Sequence, residues 1–246
     1  MSHTALRRVA IRLVHDPGLV DALRSDPVRA LAGLELSPEE IAWLLAVPAA
    51  AWRTDPERPR RVLAALADEF PTSSRLAPAR ASRFFASRHF HAAVQERGSL
   101  ALAFGALMAE DSDPRVVALA ALETATAAVR RAPVRPAPSP AGHRRLTPHA
   151  RVVRVRQDAP ALLAALRAGG TAPALGSADE DVLVLRAAPT SEVTIESLSP
   201  ELAAVLRRAE SAMPVDALVG VACSLGADPA EARELVESLA ADAVLV

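Results

Sequence analysis

The sequence predicts an α+β protein in which an all-α N-terminal domain is joined by a proline-rich linker to a winged-helix-like domain. Three observations predict it: helical spacing of apolar residues in the first half, four prolines in the eight residues from Pro133 to Pro140, and strand-like alternation in the last third. We therefore expect an all-α domain at 1–131, a stiff linker at 132–149 and an α+β domain at 150–246.

Composition restricts the class of protein. The 246 residues suffice for two domains, and hydrophobic residues make up 51% of them although aromatics are only 3%, which favours helical cores built from Ala, Leu and Val. The formal net charge of -1 gives no overall attraction to nucleic acid or to an anionic membrane. With Cys223 as the single cysteine, no secretory signal and no long apolar run, we expect a cytoplasmic protein without a membrane span.

The N-terminal helices are predicted from caps, prolines and apolar spacing. Ser37 opens a capping box followed by Pro38, and the helix that it starts ends before Pro48. Three further helices are predicted, at about Arg58 to Phe70, Ala79 to Glu96 and Pro114 to Arg131.

The C-terminal domain is predicted to contain three strands and then three helices. Two strands, Arg151 to Gln157 and Asp181 to Arg186, flank a short helix. The third strand, Glu192 to Glu196, turns Val193 and Ile195 inward, so one face of the sheet should be exposed to water. The helices that follow have start signals at Ser199-Pro200, Met213-Pro214 and Asp228-Pro229.

No residue pattern in the chain is typical of catalysis or metal binding. His89 and His91 are two apart, which on a helix separates them by roughly 200°. Asp111 and Asp113 precede a helix, where capping explains them better than cation binding. The chain has no HExxH, Gly-rich phosphate loop, nucleophile elbow or CxxC motif. We therefore expect a non-enzymatic chain that binds neither a metal nor another cofactor by itself.

A winged-helix order raises the possibility of DNA binding, which the charge of the last helix disfavours. Between Asp228 and Asp242 five acidic residues face a single basic one, Arg233. Phosphates repel such a helix, and it offers almost no donors for base edges. The same architecture has another use, because an edge strand beside a helix can accept an extended peptide as an added strand.

Two stretches resemble a known family. The sequence RFFASRHFH from Arg83 to His91, followed by RGSLALAF from Arg97 to Phe104, resembles the helical half of the partner proteins of multinuclear non-heme iron-dependent oxidative enzymes, such as those of methanobactin biosynthesis. The segment from Arg151 to Val246 is similar to the C-terminal domain of the same partners, a PqqD-like recognition element of ribosomal peptide biosynthesis.

The resemblance implies a function and a set of residues. The partner protein binds the leader of a ribosomal precursor peptide and forms a heterodimer with the oxidase, which holds the iron and oxidises the peptide, typically at cysteine. In this chain the leader would add to the third strand and lie against the last helix, and aromatic residues of the helical domain would contact the oxidase, with ordinary core packing as the alternative for the aromatics. The implied peptide-binding residues are Ser191, Glu192, Val193, Thr194, Ile195, Glu196, Arg233, Val236 and Leu239, and the implied partner-interface residues are Phe84, Phe85 and Phe90.

Two other classes of function compete with this one. The first is a winged-helix transcriptional regulator with an unusual DNA surface, and the second is an enzyme subunit with a site that no motif marks. The local charge of the candidate DNA-binding surface distinguishes a regulator from a peptide-binding protein. The metal content of the purified chain distinguishes an enzyme subunit from both.

Overall fold

The α+β class is confirmed in a computed structural model that describes residues 4–53, 55, 57–133, 139–188 and 190–246. The chain divides into two compact units, Met1–Ser112 and Asp113–Val246. Helices build the first unit, whereas the second combines helices with a three-stranded sheet. No helix in these ranges is both long and apolar enough to cross a bilayer.

The described part of the first unit contains ten helices and one 3-10 turn, most of which begin at a proline or a capping residue. They are α1 Thr4–His15, α2 Pro17–Ser25, α3 Pro27–Ala30, α4 Pro38–Ala46, α5 Ala49–Trp52, α6 Arg58–Glu69, α7 Ser73–Leu76, α8 Pro78–Ala81, the 3-10 turn Phe84–Ala86, α9 Arg88–Glu96 and α10 Leu100–Met108. The predicted capping box is confirmed, since the Glu40 N–H donates to the Ser37 hydroxyl at 3.2 Å while the Ser37 N–H donates to the Glu40 carboxylate at 2.9 Å.

The single helix predicted from Ala79 to Glu96 is wrong. The chain forms α8, the 3-10 turn and α9 there, and Ser87 separates the last two with an extended backbone (ψ 151°). The Ser87 hydroxyl accepts the Phe90 N–H at 3.2 Å, so this serine caps a new helix instead of continuing the old one.

Two groups of buried side chains hold the first unit together. Val9, Leu13, Leu23 and Leu44 pack with Trp52 in a cluster formed by the first helices. Aromatic rings pack edge to face in the second group, where the centroid of Phe84 lies 5.3 Å from that of Phe104 and 5.4 Å from that of Phe90. Every Phe and Trp of the chain lies before Ser112, so the core of the second unit contains no aromatic ring of these types.

The second unit contains five helices and five strands among its described residues. They are α11 Pro114–Arg130, β1 His143–Arg144, β2 Ala150–Arg156, α12 Ala159–Arg167, β3 Asp179–Leu185, β4 Thr194–Leu198, α13 Pro200–Arg208, β5 Met213–Pro214, α14 Val215–Ser224 and α15 Pro229–Ala241. The main sheet is antiparallel in the order β2-β3-β4, and β1 pairs with β5 separately. The predicted order of three long strands and three helices from 150 onward is found, with α12 after the first long strand, but Met213–Pro214, predicted to start a helix, form the short strand β5 between α13 and α14.

Helices cover both faces of the sheet, which corrects the prediction of one water-exposed face. Val182 and Val184 of β3 are buried in a cluster with residues of α11 and α12. Leu183 is buried on the opposite face in a cluster with residues of α13, α14 and α15. A central strand that is apolar on both faces therefore has a helical layer on each side.

The boundary between the compact units differs from the predicted one. The helix α11, which we assigned to the N-terminal domain, belongs to the second unit because Leu119, Leu122 and Val129 pack with Val155 and Val182 of the sheet. The apolar stripe of α11 identifies it as a buried helix, but its partner lies far along the chain. The proline-rich segment consequently lies within the second unit, after α11.

Part of the predicted linker is folded, which corrects its description as a stiff spacer. His143 and Arg144 form β1, and the Arg145 N–H donates to the Val246 carbonyl at 2.9 Å. Leu146 and Thr147 are buried. Residues 134–138 of the predicted linker lie outside the described residues.

Candidate functional site

The third strand of the sheet lies at an edge, as the peptide-binding prediction requires, but it begins two residues later than predicted. β4 comprises Thr194–Leu198. Ser191 lies instead in the preceding turn, where its hydroxyl donates to the Ala188 carbonyl at 2.8 Å. Glu192 and Val193 connect this turn to β4. The predicted alternation is confirmed, because Val193 and Ile195 are half-buried whereas Glu192, Thr194 and Glu196 are exposed.

The register of the sheet shows which backbone groups face outward. Antiparallel partners alternate between pairs that exchange two N–H···O=C bonds and pairs that exchange none. At the two ends of the β2–β3 ladder, Arg186 N–H donates to the His149 carbonyl and Gln157 N–H donates to the Ala178 carbonyl, both at 2.9 Å. Both pairs keep the register of the ladder, so the even-numbered residues of β3 bond to β2. The odd-numbered residues of β3 therefore direct their N–H and C=O groups toward β4.

This alternation leaves two amides on the open edge of β4. Thr194, Glu196 and Leu198 lie opposite the odd-numbered residues of β3 and bond to them. Ile195 and Ser197 consequently point their N–H and C=O groups away from the sheet, and no described residue accepts a hydrogen bond from either amide. The two donors are roughly 7 Å apart along the strand, which is the repeat of an added β-strand.

Side chains leave this edge accessible and give it a negative charge. Ile195 packs against the cluster shared with α11 and α12, which anchors the strand. Glu196 is exposed, and Ser197 is exposed with its hydroxyl donating to the Glu180 carboxylate at 3.1 Å. With Glu192 also exposed, three carboxylates surround the edge. The charge complements a basic peptide.

The opposite edge of the sheet, along β2, is different in character. Its exposed side chains are Arg151, Arg154 and Arg156, and the last two form ion pairs with Asp179 at 3.4 Å. The two edges therefore differ in the sign of their charge: the arginines of β2 repel a basic peptide, whereas the carboxylates at β4 attract one.

The predicted contribution of the last helix is corrected. Val236 is 1% exposed in the C-terminal core, so its side chain cannot contact a bound peptide. Leu239 packs partly against the same core, and Arg233 forms an ion pair with Asp216 of α14 at 3.0 Å. These three residues stabilise the packing of α15 on α14. On the face of the sheet opposite α11, the helix that packs against β2 and β3 is α13, not α15.

The predicted oxidase interface is also corrected. Phe84, Phe85 and Phe90 are respectively 0%, 6% and 1% exposed, because they pack with one another and with His15 in the core of the first unit. The three rings fill the interior of the first unit beside the 3-10 turn. They offer no surface to a partner in this structure.

The histidine and aspartate candidates have local structural partners. His89 contacts the Glu110 carboxylate at 2.9 Å, and Arg88 and His89 lower the pKa of that carboxyl. Asp113 accepts the Arg115 N–H at 2.9 Å and caps α11, as predicted. In the described ranges no three His, Cys, Asp or Glu side chains are grouped as a metal site would require.

Comparison with known proteins adds no family. The chain matches no protein-family model, and no curated protein matches it significantly.

Ser197 is absent from the predicted peptide-binding residues, although its backbone N–H is one of the two that point outward from β4. The predicted strand stopped at Glu196, although the residues up to the cap at Ser199 contain no turn signal. Extending the strand to that cap would have included Ser197. The direction of each N–H could not have been found in this way, because it depends on pairing with β3.

Proposed function

We propose that this chain is a non-catalytic partner protein that binds the leader of a ribosomally synthesised precursor peptide as an added strand on β4. The bound peptide is delivered to an iron-dependent oxidase, which forms a heterodimer with the chain and modifies the peptide at cysteine. The chain itself holds no cofactor. The outward amides of Ile195 and Ser197 on an accessible edge strand carry this proposal, because β-augmentation needs such donors in register.

The resemblance of Arg83 to Phe104 and of Arg151 to Val246 to partner proteins of iron-dependent oxidases supports the choice of peptide and partner. The transcriptional regulator fits less well, because Glu231, Glu234 and Glu237 keep α15 acidic. An acidic edge is instead suited to a leader with basic side chains.

The decisive experiment is a titration of the full chain with the fluorescein-labelled precursor peptide encoded beside its gene. Ser197→Pro removes one outward N–H without removing a bond of the sheet, so we expect affinity to fall at least about tenfold. Ser197→Ala keeps the N–H and should bind within about twofold of the wild type.

A proline on the other edge is the matched control. The alternation directs the Arg154 N–H outward from β2, so Arg154→Pro makes the same kind of change at the edge that we do not propose. This variant should bind normally. If Arg154→Pro weakens binding and Ser197→Pro does not, the peptide adds to β2, and if neither does, strand addition is wrong.

Delivery is tested separately by co-expression with the neighbouring oxidase. We expect one complex in size-exclusion chromatography at about micromolar concentration. Separate elution of the two proteins would refute the heterodimer while leaving the peptide site open to its own test.

A further inference from the structure

Two arginines on α1 have no acceptor for their buried Nε atoms. Arg8 and Arg12 are one helical turn apart, and the Nε of each is buried without a hydrogen bond. None of the carboxylates in the described part of the chain forms an ion pair with either guanidinium. Burying an N–H without an acceptor costs free energy, which an acceptor supplied by a bound ligand would offset.

A third basic group faces them from α9, which packs against α1. The His91 Nε2 lies 3.2 Å from the Phe85 carbonyl. Burial, together with the charges of Arg12 and Arg8, lowers the pKa of His91 to about 4, in spite of that carbonyl and of Asp16. Asp16, whose carboxylate accepts the Leu19 N–H at 3.1 Å, acts in the opposite direction. At His91 the charges of Arg12 and Arg8 outweigh that of Asp16.

Arg8 also lines two clefts of the first unit, of which the larger contains Glu35 and Glu40. The smaller cleft, about 240 Å³, is lined by Thr4, Arg7, Arg8, Val94 and Gln95. These residues supply two guanidinium groups, a hydroxyl and an amide, and no carboxylate. The volume is below the range typical of drug-sized ligands, about 300 to 1,000 Å³, and fits a small anion.

We propose that this cleft binds a small oxyanion, a phosphate or carboxylate group, which Arg8 holds and Arg12 supports from the next turn of the helix. A planar guanidinium binds either group through two parallel N–H···O bonds. The site lies in the first unit, and its test does not depend on the peptide edge proposed on β4.

Calorimetric titration of the full chain tests the proposal, with sodium phosphate in one arm and sodium succinate in the other, at constant ionic strength in chloride. We expect saturable binding with a dissociation constant below about 5 mM in at least one of the two titrations. The anion that binds identifies the chemical group that the cleft recognises. Arg8→Gln and Arg12→Gln should each weaken it at least about tenfold. Arg29→Gln, which removes an exposed arginine of the same unit, is the matched control and should have no effect.

A second readout separates binding from a general loss of structure. The bound anion offsets the charges of Arg8 and Arg12, so the pKa of His91 measured by NMR should rise on saturation with the anion. Arg8→Lys keeps the charge but loses the planar fork, and it should bind more weakly while remaining folded. Absence of saturable heat in both arms up to about 20 mM, or equal weakening by Arg29→Gln, would overturn the proposal.

Discussion

Leu183 of β3 and Glu196 of β4 lie directly opposite each other in the sheet. The leucine is buried among residues of the C-terminal helices, whereas the glutamate is exposed to water. The helical layer on this face thus covers β3 but leaves the outer strand accessible. Since this pair is hydrogen-bonded and its neighbours along β4 are not, the effect of proline should depend on the position in the strand.

Proline scanning of β4 should distinguish inward from outward amides. Thr194→Pro removes an N–H that bonds to β3, so we expect the free energy of unfolding of the second unit to fall by about 2 kcal/mol or more. Ser197→Pro removes an N–H that bonds to nothing described, and it should cost less than about 1 kcal/mol. Urea denaturation followed by circular dichroism measures both. The opposite order of effects would refute the register derived above.

The position of α11 predicts where the second unit can be cut from the chain. A fragment of residues 113–246 retains the helix that covers Val155, Val182 and Val184, so we expect it to unfold cooperatively. A fragment of residues 150–246 exposes that apolar face and should aggregate or bind hydrophobic dyes. Dispersed amide signals in NMR spectra of the shorter fragment would contradict the boundary at Asp113.

Truncating the buried aromatic cluster should affect stability rather than partner binding. Phe84→Ala removes a fully buried ring, and we expect the first unit to lose about 3 to 5 kcal/mol. Phe84→Leu fills most of the space and should cost less. A Phe84→Leu protein that is as stable as the wild type but no longer binds its partner would restore the interface role that burial argues against.

The depressed pKa of His91 predicts a specific pH dependence of stability. The pKa of this side chain is lowered from 6.5 to about 4 in the folded chain, so between these pH values the unfolded chain binds a proton there that the folded chain does not. The free energy of unfolding should therefore fall as the pH drops from about 6.5 to about 4 and show no further loss from this group below that.

Comparing the wild type with His91→Gln isolates this contribution, since glutamine retains a donor for the Phe85 carbonyl. The difference in the free energy of unfolding between the two proteins should change over this pH range and stay constant above it. An NMR titration midpoint of His91 near 6.5 would contradict the prediction.

Local features were predictable from the sequence because they depend on neighbouring residues. The capping box at Ser37, the caps at Ser199 and Asp228, and the alternation of Val193 and Ile195 all follow from side chains within a few positions of one another. The class and the order of the three long strands and of the helices after residue 150 follow from these signals, whereas the short strand β5 does not.

Features that depend on distant contacts were not predictable in this way. The apolar stripe of α11 indicates burial but does not identify β2 and β3 as its partners. An aromatic such as Phe84 has the same sequence signature in a core as at an interface. The outward direction of the Ser197 amide follows from pairing across the sheet, which no local pattern contains.

The confinement of every Phe and Trp to the first unit leaves the second unit without an aromatic spectroscopic signal. With Tyr absent as well, residues 113–246 contribute no intrinsic fluorescence and almost no aromatic near-ultraviolet dichroism. Emission from Trp43 and Trp52 consequently reports the melting of the helical unit alone, and a single fluorescence transition would conceal separate melting of the sheet. If a tryptophan-containing peptide is titrated against the isolated 113–246 fragment, that tryptophan is the only indole in the sample, so its emission reports on the peptide alone.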